Sequence, residues 1–577
     1  MSGGAPLAKS MAMQKEGSGG AEQMLKIGPL RLDWPIHPIL FALFPVLSLL
    51  ASNLDYVAVG EAARALVAVC LLAAALTLGA RLFLHDWRKA ALIATPAVAL
   101  LLSYGHLYAG LKLVLGALII RHRYLAPLLV ALTVGWALMV KRRLRSAGPL
   151  TAALNLVGAV ALAFPLMTLG RATITRGSSA SEAEQVQAPT AAELAQGPEG
   201  RDIYYIIVDG YGRQDILLDI YGHDNGSFLA ALRARRFQIG DQSASNYIQT
   251  ALSLGSSLNM DYLDVLLEER SQSMSNSALI DLIWHSRVRR WLAAQGYAMV
   301  AFRTAFPYTS VTDADLFWFP EGQADEEERS SAAARASAFE VLLFEYSLGR
   351  MVMDFSPSAR TAMELYLYEP LYAEHRARVL FTLDSLAAVA ELPGRHFVFA
   401  HVVSPHPPFV FDAQGSPLTP KVPFSFSDGS HFLRDAAGTR EDYINGYREQ
   451  LRYLNALLLA AIDKVVAASD RPPIIVIQGD HGPGAYLRWD AVMESNLEER
   501  SGILNAFLLP GAPSDVVYPT ISPVNAYRMV LSLYFGADLP PLPDCTYFSS
   551  TSAPDRLEQA WDCIPPGPDW PEAEPSP

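Results

Sequence analysis

Five apolar stretches, each close to the length that crosses a lipid bilayer, occupy most of the first third of the chain. They cover residues 36–52, 62–84, 90–107, 124–141 and 149–168. The hydrocarbon core takes about 20 apolar residues in a helix, and backbone inside it must satisfy its own hydrogen bonds. The front of the chain is therefore predicted to form about five transmembrane helices. A shorter apolar segment at 110–120 is predicted to be a separate interfacial helix.

Basic residues flank these stretches unevenly. Three segments are enriched in them: the one before the first stretch, the one between the second and third, and the one between the fourth and fifth. Loops on the cytoplasmic side of a membrane carry the Lys and Arg excess, so these segments are expected inside. An odd number of crossings then places the chain after Arg176 outside the cytoplasm.

Charge divides the chain in the same place. Up to Ser178 there are 17 Lys and Arg against 6 Asp and Glu, a net charge of +11, and the remainder has 28 against 52, a net charge of −24. An acidic soluble part repels nucleic-acid phosphates, so no nucleic-acid partner is expected. The pattern indicates a membrane anchor carrying a soluble domain.

Composition shifts suggest where the parts begin and end. The predicted order is a disordered, Gly- and Ser-rich N-terminus, a transmembrane domain, a polar linker without apolar periodicity, a soluble domain and a C-terminal tail, at 1–30, 31–176, 177–200, 201–545 and 546–577. Cys545 and Cys563 lie close together near the end. They could form a disulfide in an oxidising compartment or remain two buried thiols.

Short apolar runs in the soluble part alternate with helical patterns. Strand candidates are 202–208, 297–302, 396–403, 473–478 and 504–510, and helices are predicted over 281–295, 365–391 and 443–468. Strands separated by helices predict an α/β domain with a mostly parallel sheet covered by helices on both faces. Residues 305–360 fit neither period and are predicted to be an insertion or lid.

Polar residues follow three of the predicted strands. Asp209 ends the first, His401 and His406 lie at and after the end of the third, and Asp480 and His481 follow the fourth. Ligands of open α/β sheets bind beyond the carboxyl ends of the strands. Carboxylate and imidazole groups together suit zinc or manganese, whereas magnesium and calcium prefer oxygen alone. One divalent ion, Mn, Zn, Mg or Ca, is expected there.

A nucleophile can come from the hydroxyl-rich segment 243–263. Its candidates are Ser245, Thr250, Ser253, Ser256 and Ser257. Thr250 is placed best, because a polar lead-in there becomes a helix-like pattern, and the N-terminus of a helix favours a bound phosphate. Simple helix capping is the competing interpretation.

Four motifs occur in a fixed order after the membrane anchor: IIVDGYG, SNYIQTALSLGSSLN, SPHPPF and QGDHG. Together they resemble the sulfatase-like branch of the alkaline phosphatase superfamily, in particular membrane-anchored lipoteichoic acid synthases and phosphoethanolamine transferases. The resemblance covers roughly 202–536. It implies a bacterial cell (inner) membrane protein whose catalytic domain is periplasmic or extracellular.

The same resemblance implies roles for single residues. Asp209, Thr250, Asp480 and His481 match the metal ligands, and Thr250 matches the nucleophile. Substrate contacts are expected at His406, which is also catalytic, at His401, and at Arg303 after the second strand. The chain departs from lipoteichoic acid synthases in having Asp209 where they have Glu, and in lacking a clear match to their Trp and Arg substrate contacts.

The expected activity is transfer or hydrolysis of phosphoesters of envelope lipids or glycans, with the bilayer and a lipid or glycan substrate as partners. Threonine cannot be oxidised to the formylglycine of true sulfatases, which favours phosphoester over sulfate chemistry. Two alternatives stay open at this point: hydrolysis of a sulfuric or phosphoric ester with water as acceptor, and a catalytically silent envelope scaffold.

Overall fold

A computed structural model describes most of the chain. The described residues are 34–53, 59–115, 120–182, 200–270, 272–320, 337–355, 358, 361, 364, 366–419, 424–435, 438–489, 491–550, 553–568 and 570, with side chains omitted for 171–182 and a few others. The predicted disordered N-terminus, 1–30, and residues 183–199 of the predicted linker lie outside them.

The front of the chain folds into five apolar helices. They are α1 (His37–Ala51), α2 (Ala63–Leu84), α3 (Trp87–Leu115), α4 (His122–Arg143) and α5 (Gly148–Glu182), with a 3₁₀ turn, Val59–Ala62, before α2. Four of them, α2 to α5, are long and apolar enough to cross a membrane, and α1 is a shorter apolar helix. The expectation of about five helices in a multi-span membrane domain is confirmed.

The prediction of a separate interfacial helix at 110–120 is wrong for its first half. Helix α3 continues without a break to Leu115, and residues 116–119 lie outside the described part. The physical reason is local, because no proline follows Pro96 in this helix and the residues after Gly110 are mostly good helix formers. A single glycine does not end a helix that neighbouring helices support.

The soluble domain is built on a seven-stranded sheet. Its strands are β1 (Ile203–Val208), β2 (Phe237–Ile239), β3 (Ala298–Phe302), β4 (Leu316–Trp318), β5 (His396–Val402), β6 (Ile474–Gln478) and β7 (Asn505–Leu508). Their order across the sheet is β2-β7-β6-β1-β5-β3-β4. Only β7 opposes its neighbours, pairing antiparallel with both β6 and β2, while the other pairs are parallel. The predicted, mostly parallel sheet is confirmed.

Helices cover both faces of this sheet, as predicted. Alternate residues of β1 divide between two cores, with Tyr204, Ile206 and Val208 in one and Ile203, Tyr205 and Ile207 in the other. The helices of the soluble domain are Gln214–Asp219, Gly226–Ala234, Thr250–Ser257, Leu263–Glu269, Asn276–Trp284, Arg287–Ala294, Ala338–Tyr346, Gly349–Phe355, Glu369–Val389, Gly429–Asp435, Arg440–Ala468, Leu497–Ser501 and Pro523–Phe535, with a 3₁₀ turn at Val492–Glu494.

One predicted helix differs in detail from the structure. The region 281–295, expected to be continuous, is divided between the helices Asn276–Trp284 and Arg287–Ala294. The hydroxyl of Ser286 caps the second helix by accepting a hydrogen bond from the amide of Arg289. A serine that caps a new helix competes with continuation of the preceding one.

The segment 305–360 connects the soluble domain to the membrane helices. Its described parts comprise β4 at the sheet edge and the helices Ala338–Tyr346 and Gly349–Phe355. The Tyr346 ring stacks on His106 of α3 at 3.9 Å, and Asp354 lies 2.9 Å from His122 at the start of α4. The segment therefore joins the two domains rather than covering the sheet alone.

The end of the chain packs onto the soluble domain. Strands β8 (Tyr547–Ser550) and β9 (Ala553–Gln559) form a small antiparallel sheet. Cys545 and Cys563 form a disulfide, which decides between the two alternatives left by the sequence. Tyr547 lies beside Tyr247, with ring centroids 5.6 Å apart, so this region supports the segment that leads to Thr250.

Candidate functional site

The polar residues that follow β1, β5 and β6 meet on one face of the sheet. Ile207 of β1 is in register with His401 of β5 and with Gln478 of β6. Because side chains alternate along a strand, Asp209 and Asp480, two residues beyond Ile207 and Gln478, return to the face that His401 occupies. The helix Thr250–Ser257 packs on this same face through Leu254.

Asp209, Asp480, His481 and His401 form a compact buried cluster. His481 Nε2 lies 3.6 Å from an Asp209 oxygen and 3.4 Å from an Asp480 oxygen. His401 Nε2 lies 3.3 Å from the other Asp209 oxygen. Each of the four residues is at most 2% exposed. Asp209, His401 and Asp480 each offer a ligand atom, all within 4.8 Å of one another, where a metal ion could be held.

Thr250 brings its hydroxyl to the edge of this cluster. It is the first residue of its helix, and its Oγ1 lies 3.2 Å from His481 Nε2. With 8% exposure it is less buried than the carboxylates. The site therefore has an interior side, formed by the acids, and an outer side where the Thr250 hydroxyl can be approached.

The four serines weighed against Thr250 have their hydroxyls engaged elsewhere. Ser245 donates to the carbonyl of Asp480, Ser253 lies 3.2 Å from Ser245, Ser256 donates to the carbonyl of Asp261, and Ser257 lies 3.1 Å from the Tyr205 hydroxyl. Among these hydroxyls, Thr250 is the one placed at the acid and imidazole cluster.

Several buried polar atoms in the cluster have no hydrogen-bond partner within the described part of the chain. They are both carboxylate oxygens of Asp209, one of Asp480, and Nε2 of His401. Two neighbouring buried carboxylates with donors for only one of their four oxygens are costly in a protein interior. A divalent cation between them would satisfy these atoms, so the donor set fits a metal.

Ionisation supports the same conclusion. Burial by itself raises the pKa of Asp209, but the imidazoles of His406, His401 and His481 hold it well below its usual value. Burial, and then the Arg500 guanidinium, lower the pKa of His481. His481 therefore favours the neutral form, with Nδ1 3.0 Å from the Gly482 carbonyl oxygen, and its Nε2 faces the Thr250 hydroxyl at 3.2 Å and an Arg500 N–H donor at 3.1 Å.

Glycines in the QGDHG motif allow the backbone to approach closely. A Cβ at Gly482 would lie 2.1 Å from the Glu499 carbonyl oxygen, so no other residue fits without movement. The amide of Gly210, whose φ is +73°, donates to the Asp480 carboxylate at 3.0 Å. The glycine-framed turn considered from the sequence therefore exists, and it carries the acid and imidazole of the cluster.

His406 lies beside the cluster and faces a second acid. Its backbone amide donates to the Asp209 carbonyl at 3.1 Å, and its Nε2 is 3.7 Å from the Asp428 carboxylate. Its ring centroid is 6.2 Å from that of His481. His406 thus lies beside the cluster and does not come between the residues that could bind a metal ion.

Sequence reasoning missed Asp428 and Arg500. Arg500 donates to Asp428 at 2.5 Å, to the Gly482 carbonyl at 3.0 Å and to the Ile248 carbonyl at 2.9 Å. Burial alone raises the pKa of Asp428, but Arg500 and then His406 lower it to about 2. Neither residue follows a strand of the sheet directly, and Arg500 lies on a five-residue helix with two glutamates, a pattern typical of an exposed surface.

Arg303 follows β3, and its guanidinium carbon lies 5.0 Å from the ring centroid of Phe319. It lines a small cavity together with His375, Arg378 and His401. Its predicted contact with substrate stays a prediction.

Glu499 gives the site region a pH dependence that can be measured. Burial raises its pKa to about 7 despite hydrogen bonds from Tyr221 and Tyr486. The folded state thus holds a proton that the unfolded state, with a pKa near 4.5, releases. The associated stability is complete below about pH 4.5 and is lost as the pH rises through 7, by on the order of 3 kcal/mol.

Replacing Glu499 with glutamine is therefore expected to flatten the decline in melting temperature between pH 5.5 and 8.5. Glutamine does not ionise, and its carbonyl oxygen can accept from the Tyr486 amide while its NH₂ group donates to the Tyr221 hydroxyl oxygen. The matched control is Glu498→Gln, because Glu498 is exposed and should leave the decline unchanged. An equal decline in the wild type and Glu499→Gln would contradict the assignment.

Among known proteins, no family model matches the chain, and no curated protein sequence matches it. Solved structures do match. The integral membrane lipooligosaccharide phosphoethanolamine transferase A from Neisseria meningitidis is 14% identical, with a TM-score of 0.34, and the match covers 86% of this chain and 93% of that one.

Two further matches involve the soluble domain. The zinc complex of the periplasmic domain of EptC from Escherichia coli is 14% identical, with a TM-score of 0.32, over 59% of this chain and 85% of that one. The lipoteichoic acid synthase LtaP from Listeria monocytogenes is 13% identical, with a TM-score of 0.34, over 59% and 72%. These are the kinds of protein that the motifs resemble.

Proposed function

We propose that this chain is a membrane-anchored, metal-dependent enzyme that transfers or hydrolyses phosphoesters of envelope lipids or glycans through Thr250. One observation carries the proposal: the Thr250 hydroxyl lies 3.2 Å from His481 Nε2, beside two buried carboxylates, and three of their four oxygens lack a donor in the described chain. A hydroxyl, an imidazole and paired acids at one point are the parts of a metal-activated nucleophile.

Asp209, Asp480, His481 and Thr250 would hold one divalent cation. The mixture of carboxylate and imidazole favours zinc or manganese over magnesium or calcium. When bound, such an ion would lower the pKa of the Thr250 hydroxyl and offset negative charge on the transferred group. The remaining chemistry belongs to residues of the chain.

In the first step, the Thr250 oxygen attacks the phosphorus of a phosphoester donor. The Thr250 hydroxyl loses its proton to water, its Oγ1 bonds to phosphorus, the bond from phosphorus to the leaving alcohol breaks, and His406 gives the leaving oxygen a proton. In the second step, an acceptor hydroxyl or water loses its proton to His406 and bonds to the same phosphorus, the bond from phosphorus to Thr250 Oγ1 breaks, and Oγ1 regains a proton from water. The position of Thr250 at the start of its helix favours the phosphate in both steps.

His406 is the group proposed to contact the substrate and to protonate the leaving alcohol. It lies next to Gly210 on the outer side of the cluster, and Asp428 faces its Nε2. A carboxylate beside an imidazole orients the ring for proton transfer. Arg500, which pairs with Asp428 and lies 3.1 Å from His481, is a positioning residue for both histidines.

The membrane helices suit a lipid-borne donor, because they hold the soluble domain at the bilayer. The positive-inside pattern supports a location outside the cytoplasm, and the disulfide between Cys545 and Cys563 suits an oxidising compartment. We infer a bacterial inner-membrane protein with a periplasmic or extracellular catalytic domain. Transfer and hydrolysis differ only in whether a glycan hydroxyl or water completes the second step.

The test is capture of the covalent intermediate. Full-length protein in detergent is loaded with zinc or manganese, incubated with a phospholipid donor without a glycan acceptor, quenched in acid and digested. Mass spectrometry should find the Thr250 peptide heavier by the transferred phosphoryl group. Finding donor turnover together with a phosphoryl group on another residue, or with none after rapid quenching, would refute the threonine mechanism.

A further inference from the structure

His401 lies in the cluster but is not among the residues that the motifs assign to the metal. It is the sixth residue of β5, and its side chain lies on the same face of the sheet as Asp209. Its Nε2 is 3.3 Å from an Asp209 oxygen, and its side chain is fully buried. A histidine in this position either forms a hydrogen bond with the carboxylate or binds the same cation as the carboxylate.

The 3.3 Å contact between His401 Nε2 and Asp209 is not a well-directed hydrogen bond. Although the two atoms are within 3.5 Å, neither His401 Nε2 nor either Asp209 oxygen has a hydrogen-bond partner with acceptable geometry in the described residues. An imidazole and a carboxylate that face one another without a shared proton are a common arrangement of two ligands around one cation.

The other ring nitrogen of His401 is engaged as it is in metal-bound histidines. Its Nδ1 lies 2.9 Å from the Thr309 hydroxyl, and Thr309 can direct its own proton to the Phe306 carbonyl. The hydroxyl then accepts from Nδ1, which leaves the Nε2 lone pair directed toward Asp209. Such an acceptor behind the ring fixes the tautomer and orientation of a histidine ligand.

The distances also fit a common centre. Ligand atoms bound to one zinc-sized ion at about 2.0–2.2 Å lie roughly 3–4 Å apart. The separations Asp209 to His401, Asp209 to His481 and Asp480 to His481 are 3.3, 3.6 and 3.4 Å. Asp209, His401 and Asp480 thus offer ligand atoms within 4.8 Å of one another, and His481 contacts both carboxylates, with the Thr250 hydroxyl beside it.

We propose that His401 is a ligand of the same divalent cation, so that two imidazoles rather than one bind it. This rests on the proposed metal dependence and extends it. Two nitrogen ligands shift the preference of the site toward zinc and away from calcium and magnesium. His401 is then a metal ligand and not a substrate contact, which leaves His406 as the histidine facing the substrate.

The experiment counts imidazole ligands directly. Full-length protein is stripped with a chelator, loaded with Mn²⁺ alone, and studied by pulsed electron paramagnetic resonance, in which nitrogen couplings report bound imidazoles. We expect two coupled imidazoles in the wild type and one in His401→Gln, with Mn²⁺ affinity at least 10-fold weaker in the variant by isothermal titration calorimetry. Thr309→Val should weaken binding less while keeping both couplings.

His375→Gln is the matched control. His375 is a buried histidine that lines the cavity next to His401, and its replacement should leave both couplings in place. One coupled imidazole in the wild type overturns the proposal even if His401→Gln does not fold. Unchanged couplings and affinity in a folded His401→Gln overturn it too, whereas a wild type that binds no cation refutes the proposed function itself.

Discussion

Replacing Thr250 with alanine is expected to reduce turnover of a phosphoester donor by about 10⁴-fold or more, because the residue supplies the attacking oxygen. The cost in folding should be small, since only a hydroxyl and a methyl group are removed from a residue at the edge of the cluster. Thr250→Ser should keep measurable activity, because the oxygen remains. Turnover is followed by release of the leaving alcohol at saturating zinc or manganese.

The control for this comparison is another hydroxyl of the same helix. Ser256 donates to the Asp261 carbonyl and faces away from the acids, so Ser256→Ala should leave turnover within a few-fold of the wild type. Metal content is measured in every variant, because Thr250 is also a proposed ligand. A Thr250→Ala protein that binds metal and retains wild-type turnover would exclude Thr250 as the nucleophile.

Replacing Asp209 with asparagine is the second change with a large expected effect. Cation affinity should fall at least 100-fold and turnover about 10³-fold, since a charged ligand is lost from the centre of the cluster. Without cation, the variant should be less stable than the wild type, because the imidazoles of His406, His401 and His481 that hold the pKa of Asp209 low also stabilise its carboxylate in the folded state.

Melting curves recorded with and without cation separate the effect of cation binding on stability from the effect of removing the carboxylate. At a cation concentration 100 times its dissociation constant, binding should stabilise the wild type by about 2.7 kcal/mol, and the same concentration should leave Asp209→Asn almost unchanged. Asp412→Asn, in an exposed turn, is the control and should respond like the wild type. Equal stabilisation of the wild type and Asp209→Asn would show that the acids do not hold the cation.

The segment 305–360 couples the soluble domain to the membrane helices. The stack of Tyr346 on His106 and the pair of Asp354 with His122 link the soluble domain to α3 and α4. The Thr250 hydroxyl is therefore held in a defined position relative to the apolar helices at the front of the chain. This arrangement suits a donor that is presented from the membrane.

The sequence was most informative where local chemistry and periodicity agree. Apolar length predicted the membrane helices, because lipid leaves a helix little alternative. Short apolar runs predicted the five longer strands of the seven-stranded sheet. The rule that parallel strands share a carboxyl edge predicted that Asp209, His401 and Asp480 would lie close together. The edge strands β2 and β4, with three residues each, were too short to be recognised by periodicity.

Other parts of the site were decided by the tertiary structure alone. Asp428 and Arg500 are 72 residues apart in the chain, and nothing near either predicts that they pair beneath His406 and His481. The sequence could name His401 as a candidate but could not tell which group it faces, because that depends on strand register and on Thr309 behind the ring. Residue types and the order of the strands along the chain can be read from the local sequence. The pairing of buried charges depends on how distant segments pack.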